Sequence, residues 1–191
     1  MRNNMSDNQL PVTLSNNNLK RLRHLMYAVV LIIFDQVTKH LSRVSFSDGS
    51  DFPVIPGVLR FLLHKNTGAV WGFMSGTQNS VLYLTIATLV ILALIIFVYF
   101  KIPDTQKYSS LLLIITFVFA GAIGNLIDRI ALNYVTDFIY FELINFPVFN
   151  VADCYVTVSV FVLCYLILFK YDDNDLDFFA KKKTDMVETG E

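Results

Sequence analysis

VLYLTIATLVILALIIFVYF, residues Val81–Phe100, runs for twenty residues without a charged side chain. At 1.5 Å rise per residue a helix of that length covers about 30 Å, the thickness of a bilayer's hydrocarbon core. A soluble helix needs a polar face, and this stretch offers none, so it is read as a membrane span. Three other apolar runs flank it. Together the spans are placed at about residues 24–42, 81–100, 108–128 and 150–169, which predicts an α-helical membrane protein with four transmembrane helices. The whole chain agrees. Of its 191 residues 54% are hydrophobic and only 16% charged, against about 25% charged in soluble domains. A net charge of −1 with no basic stripe excludes a nucleic-acid partner.

The first run follows Lys20, Arg21 and Arg23, the layout of a secretory signal. No small-x-small cleavage site follows it, and Asp35 with Lys39 continues the helical pattern, so an uncleaved span is preferred. Four spans put both termini on one side. Lys and Arg fall ten on the side of the termini and the 101–107 loop and five on the other, so the termini are expected in the cytoplasm. The reading divides the chain into a polar tail, 1–22, a membrane domain, 23–170, and a second cytoplasmic tail, 171–191. Segments 43–79 and 129–149 then face outward. In the first of these, Pro53, Pro56 and Gly57 mark turns and Val58–Leu63 has strand-like content. A small β element lying on the membrane is expected, with a short outer-face helix or loop near Gly72–Gly76.

Ionisable residues inside hydrocarbon cost about 2.5–3.5 kcal/mol each, so they persist where they pair or work. Here four groups from separate stretches fall at one membrane face: Asp35 with Lys39; Asn66; Asn125 with Asp128 and Arg129; and Asp137 with Asn150 and Asp153. Each has a structural explanation. Asp35 and Lys39 have the i,i+4 order of a helix pair, and Asn66 before Gly68 suits a turn. Gly121 and Gly124 suit close helix contact. Asn150 followed three residues later by Asp153 resembles a helix cap, and Asp137 could sit in a loop. Favouring chemistry is the apolar setting of Asp137, between Val135 and Phe149, which places it near the bilayer. Two carboxylates in one low-dielectric site do not both ionise readily, so one can activate water while the other polarises a carbonyl. Other chemistries lack parts. His24, His40 and His64 are scattered, with no metal-ligand spacing, and no Gly-x-Ser-x-Gly elbow occurs. Cys154 and Cys164 would lie about 15 Å apart on one helix, too far for a disulfide. No metal or cofactor is expected.

Five blocks in order resemble bacterial lipoprotein signal peptidase, also called signal peptidase II. They are Asp35-Gln36-Val37-Thr38-Lys39, Asn66-Thr67-Gly68-Ala69, Gly124-Asn125-Leu126-Ile127-Asp128-Arg129, Val135-Thr136-Asp137-Phe138 and Phe149-Asn150-Val151-Ala152-Asp153. The resemblance implies a four-helix inner-membrane aspartic endopeptidase, with its active site at the extracytoplasmic face. Such enzymes cleave prolipoproteins just before a diacylglyceryl-modified cysteine and are blocked by globomycin. It implies Asp137 and Asp153 as the catalytic pair, with Asn66, Gly68, Asn125, Arg129 and Asn150 lining the site. Asp128, Asp35 and Lys39 take supporting roles. After Gly68 the chain reads Ala69-Val70-Trp71 where the family usually has Ala-Ala-Phe, a departure expected to alter an apolar wall of the site; Trp71 and Phe73 are candidate interfacial anchors. The implied partners are lipidated prolipoproteins and membrane lipids, and the implied state is a monomer. The rival reading is a small transporter or channel subunit using the intramembrane acids as an ion path.

Overall fold

The computed structural model describes residues 16–68, 79–172 and 175. Four helices, α1 (Asn16–Ser45), α2 (Ser80–Lys101), α3 (Ser109–Leu132) and α4 (Val151–Phe169), are each long and apolar enough to cross a membrane. Their burial differs sharply. Helix α3 packs against each of the other three and buries nine residues, from Leu111 to Asp128, whereas α2 buries only Ser80 and Leu92. The outer surface of the bundle is apolar: Phe161 and Leu168 are each 72% exposed. In water such a surface would be untenable, and in lipid it is the solvated face.

The glycines explain the centre. A Cβ on Gly121 would stand 2.6 Å from the Ala152 carbonyl oxygen and 2.9 Å from Val156, and one on Gly124 would collide with the Asp35 carboxylate. Glycine at both places lets α3 approach α4 and α1 closely, as the small-residue spacing suggested.

The helices reach further than the sequence reading placed the spans. Helix α1 starts at Asn16, inside the expected 1–22 tail, because Leu19–Arg23 are good helix formers whose basic heads find partners. Lys20 pairs with Asp104 at 3.6 Å, and Arg21 lies over the Phe100 ring. Helix α1 also continues through Arg43–Ser45 and α3 through Arg129–Leu132, positions first read as outer segments. Helix α3 stops at Asn133, whose left-handed backbone (φ 60°) returns its N–H to the Arg129 carbonyl.

A three-stranded antiparallel sheet, β1 (Asp51–Ile55), β2 (Leu59–Asn66) and β3 (Val135–Phe141), lies beside the helix ends. Pro56 and Gly57, with φ 74°, form the tight turn between β1 and β2, closed by Val58 N–H to Ile55 O at 2.9 Å. The expected β element is therefore present but larger than read. Asp137 sits on its third strand, opposite His64, not in a loop. Arg60 ties the corner together through Asp51 and, at 3.0 and 3.1 Å, both oxygens of Glu142. The expected helix near Gly72–Gly76 and the anchors Trp71 and Phe73 lie outside the described residues.

Candidate active site

Strand β3 is followed by a tight return. A short 3-10 turn, Glu142–Ile144, and Asn145 in the left-handed region (φ 48°) reverse the chain, and Phe149 pairs back with Ile139 at 2.8 and 3.0 Å. That return carries Asn150, the residue before α4, beside Asp137. The Asn150 side-chain amide donates to Asp137 Oδ1 at 2.6 Å and to Asn125 Oδ1 at 3.1 Å. Its own oxygen accepts the Asp153 backbone N–H at 3.1 Å. One fully buried asparagine thus touches both candidate carboxylate residues.

Asp153 resolves the question its spacing raised. It does form a capping box, one carboxylate oxygen taking the Asn150 N–H at 3.1 Å. The other oxygen accepts from the Asn125 amide at 2.8 Å. Cap and site are one arrangement, since the oxygen not used by the backbone points into the polar cluster. Asp137 is 2% exposed and accepts from Asn66 Nδ2 at 2.9 Å as well as from Asn150. Burial, then the negative charge of Asp153, pushes the Asp137 carboxyl up to about 7, against the pull of those two amide donors. Asn66 is itself fixed by the Gly68 N–H, 2.9 Å from its side-chain oxygen.

Behind this layer lies a buried ionic one. Lys39, with no exposed surface, contacts Asp35 at 2.9 Å, Asp128 at 3.9 Å and the Asn125 oxygen at 2.8 Å. Asp35 extends its other oxygen to the Ala152 backbone N–H at 3.0 Å, a second donor of the α4 N-terminus. Asp128 accepts the Thr136 N–H at 2.8 Å and faces Arg43 at 3.6 Å. Arg129 is half-buried and interacts electrostatically with Asp153, Asp137 and Asp128. Among the described residues no three His, Cys, Asp or Glu side chains gather so as to hold a metal ion.

A sequence profile described as "Signal peptidase (SPase) II" matches residues 27–169. The chain belongs to the signal peptidase II family. A "Lipoprotein signal peptidase" from Staphylococcus aureus is 39% identical over 155 residues, covering 80% of this chain and 91% of that one. A bacterial membrane enzyme solved in meso at 2.3 Å resolution superposes with a TM-score of 0.67 at 38% identity, covering 76% of this chain and 87% of the other. A second, solved at 1.9 Å, gives 0.66 at 37% identity, covering 78% and 94%. Signal peptidase II cleaves the signal peptides of prolipoproteins, and this chain is a protease of that family. The ion-path reading is set aside.

Within the signal peptidase II fold, Asp35, Lys39, Asn66, Asn125, Asp128, Arg129, Asp137, Asn150 and Asp153 all gather at one end of the bundle. Three contributors were missed there. Arg43 donates to the Thr136 hydroxyl at 2.8 Å as well as facing Asp128, and Thr136 has no exposed surface. Gln36 donates to the Gly124 carbonyl at 3.0 Å, locking α1 to α3. A signal existed for Arg43: it follows Asp35 and Lys39 at the same four-residue step, so the three share a helix face.

Proposed function

We propose that Asp137 and Asp153 are the catalytic dyad of an aspartic endopeptidase that cleaves prolipoproteins immediately before a diacylglyceryl-modified cysteine. The observation that carries this is the meeting of the two residues on the single side chain of Asn150. The two carboxyls differ in setting. Asp137 is buried and keeps its proton to about pH 7. Asp153 stands in the first turn of α4, one carboxylate oxygen accepting the Asn150 N–H and the other the Asn125 amide.

Asp153 is therefore the base, taking a proton from water as the hydroxyl attacks the scissile carbonyl carbon. Asp137 gives its proton to the carbonyl oxygen, so a neutral gem-diol forms. On collapse Asp153 passes its proton to the amide nitrogen, the C–N bond breaks, and a gem-diol hydroxyl returns a proton to Asp137. Asn66, Gly68, Asn125, Arg129 and Asn150 line this centre and orient the pair, while Asp35, Lys39 and Asp128 hold the helix ends behind it.

The positive-inside count supports cytoplasmic termini and a catalytic end on the extracytoplasmic side of a bacterial inner membrane. The catalytic domain takes in the whole of α1, from Asn16, and Tyr171 after α4, and acts as a monomer. A lipidated substrate reaches the dyad from within the bilayer, and globomycin competes for the same place.

The test is cleavage of a diacylglyceryl-modified prolipoprotein by purified protein, with product masses locating the cut. Asp137→Asn and Asp153→Asn should each lower the rate by at least about a thousandfold. Either variant at wild-type rate would remove the dyad, and equal cleavage of unlipidated precursor would remove the substrate assignment.

A further inference from the structure

At the membrane edge opposite the dyad, a groove of about 480 Å³ opens between α1 and α2, with α3 as its floor. His24 lies eleven residues before Asp35 on α1, so the groove begins about 16 Å along the helix from the polar cluster. Its deeper wall is apolar, formed by Leu25, Ala28, Ile95, Ile96, Ile115 and Phe119. Its mouth is not. Arg21 stands over the Phe100 ring at 5.2 Å, and buried His24 bonds the Tyr99 hydroxyl at 2.9 Å, all four residues lining the groove. Thr116, the polar residue in the floor, spends its hydroxyl on the Leu112 carbonyl at 2.8 Å.

We propose that this groove holds one acyl chain of an anionic phospholipid, with the phosphate at Arg21, His24 and Tyr99. The order of chemistry along α1 matches such a molecule: the Arg21 cation at the edge, then the His24 imidazole, with Leu25 and Ala28 about one and two turns from Arg21. The surrounding charges also choose between occupants. Among the described residues Lys20, Arg21, Arg23, Lys101, Lys107 and Lys170 fall at this end against Asp104, paired with Lys20 at 3.6 Å, and Asp172 and Asp175, the latter paired with Lys107. A signal peptide would bring its own basic n-region to the same membrane edge and be repelled. An anionic headgroup is attracted, as in other basic pockets between membrane helices. Ala28 has the smallest side chain on the groove lining, so a larger one there would narrow it.

Native mass spectrometry of the full-length protein, offered phosphatidylglycerol or phosphatidylcholine with identical acyl chains, tests this. Wild type should retain at least about fivefold more of the anionic lipid. Arg21→Gln, at an exposed position, should abolish the excess, and Ala28→Leu should lower retention of both lipids. Thermal melts and prolipoprotein cleavage on the same preparations report folding. Should Ala28→Leu fail to fold, wild type against Arg21→Gln decides the matter. Equal retention of the two lipids, or an undiminished excess in Arg21→Gln, overturns the proposal. So does displacement of the lipid by a signal-peptide segment together with a raised KM in Ala28→Leu, which would give the groove to the substrate.

Discussion

The two ends of this bundle are held together by different physics. At one end, α1, α3, α4 and β3 are joined by directed contacts among Asp35, Lys39, Asn125, Asp128, Asp137 and Asn150. At the other, Ile102, Leu111, Leu112, Ile114, Leu166 and Tyr171 make an apolar cluster, and α1 meets α2 across an open groove. Apolar packing tolerates a gap because lipid fills it at little cost. A buried ionic cluster tolerates none, since each member left without its partner is a bare charge in a low dielectric. Substitutions at the polar end should therefore be severe and non-additive, and those at the lipid-facing end mild.

The largest effect tests whether the dyad acts as a unit. An Asp137→Asn/Asp153→Asn double variant should lose no more activity than either single variant, each down by at least about a thousandfold. Losses that multiply would mean that the carboxylates act independently. Next is Lys39→Met, which leaves Asp35 without its counter-ion and Asp128 with Arg43 alone, and should destabilise the fold by about 3–5 kcal/mol, read from unfolding in detergent. An unshifted transition would show that the ionic layer does not hold the helix ends.

The pH dependence is smaller. The Asp137 carboxyl is raised from 3.8 to about 7, so the fold favours its protonated form. That contribution is complete below about pH 4, is eroded as pH rises, and is gone above about 7. Thermal stability should decline across that window, and Asp137→Asn should flatten the decline. Cleavage should fall as pH rises past 7, when Asp137 no longer has a proton to give. A rate still climbing there would reassign the proton. Smallest is Val90→Ala on α2, a 57% exposed position, which should change stability by less than about 0.5 kcal/mol and leave cleavage at the wild-type rate.

The same contrast decides what could be read without the structure. Spans are local: twenty uncharged residues from Val81 declare a helix whatever surrounds them. Polar residues that recur at one depth were legible for the same reason, because their cost is set by the bilayer. Pairings were not. Nothing within Val135–Phe141 says that it will lie against Leu59–Asn66, some seventy residues earlier, so Asp137 was open to a loop reading. Arg43 looked like an outer-loop charge because its partners, Asp128 and Thr136, are about ninety residues away. For Asp153, spacing suggested a cap or a working group as alternatives. Only the separate directions of its two oxygens show that the cap leaves one of them facing the Asn125 amide.

The contact between Asp35 and the Ala152 amide joins the first membrane helix to the first turn of the last. In chain order Asp153 comes last: Asp35, Asn66, Asn125 and Asp137 all precede it. Until the fourth helix inserts, Asp137 has no partner carboxylate and Asp35 no amide to receive. On the dyad proposed above, the site is incomplete until the last helix joins the other three.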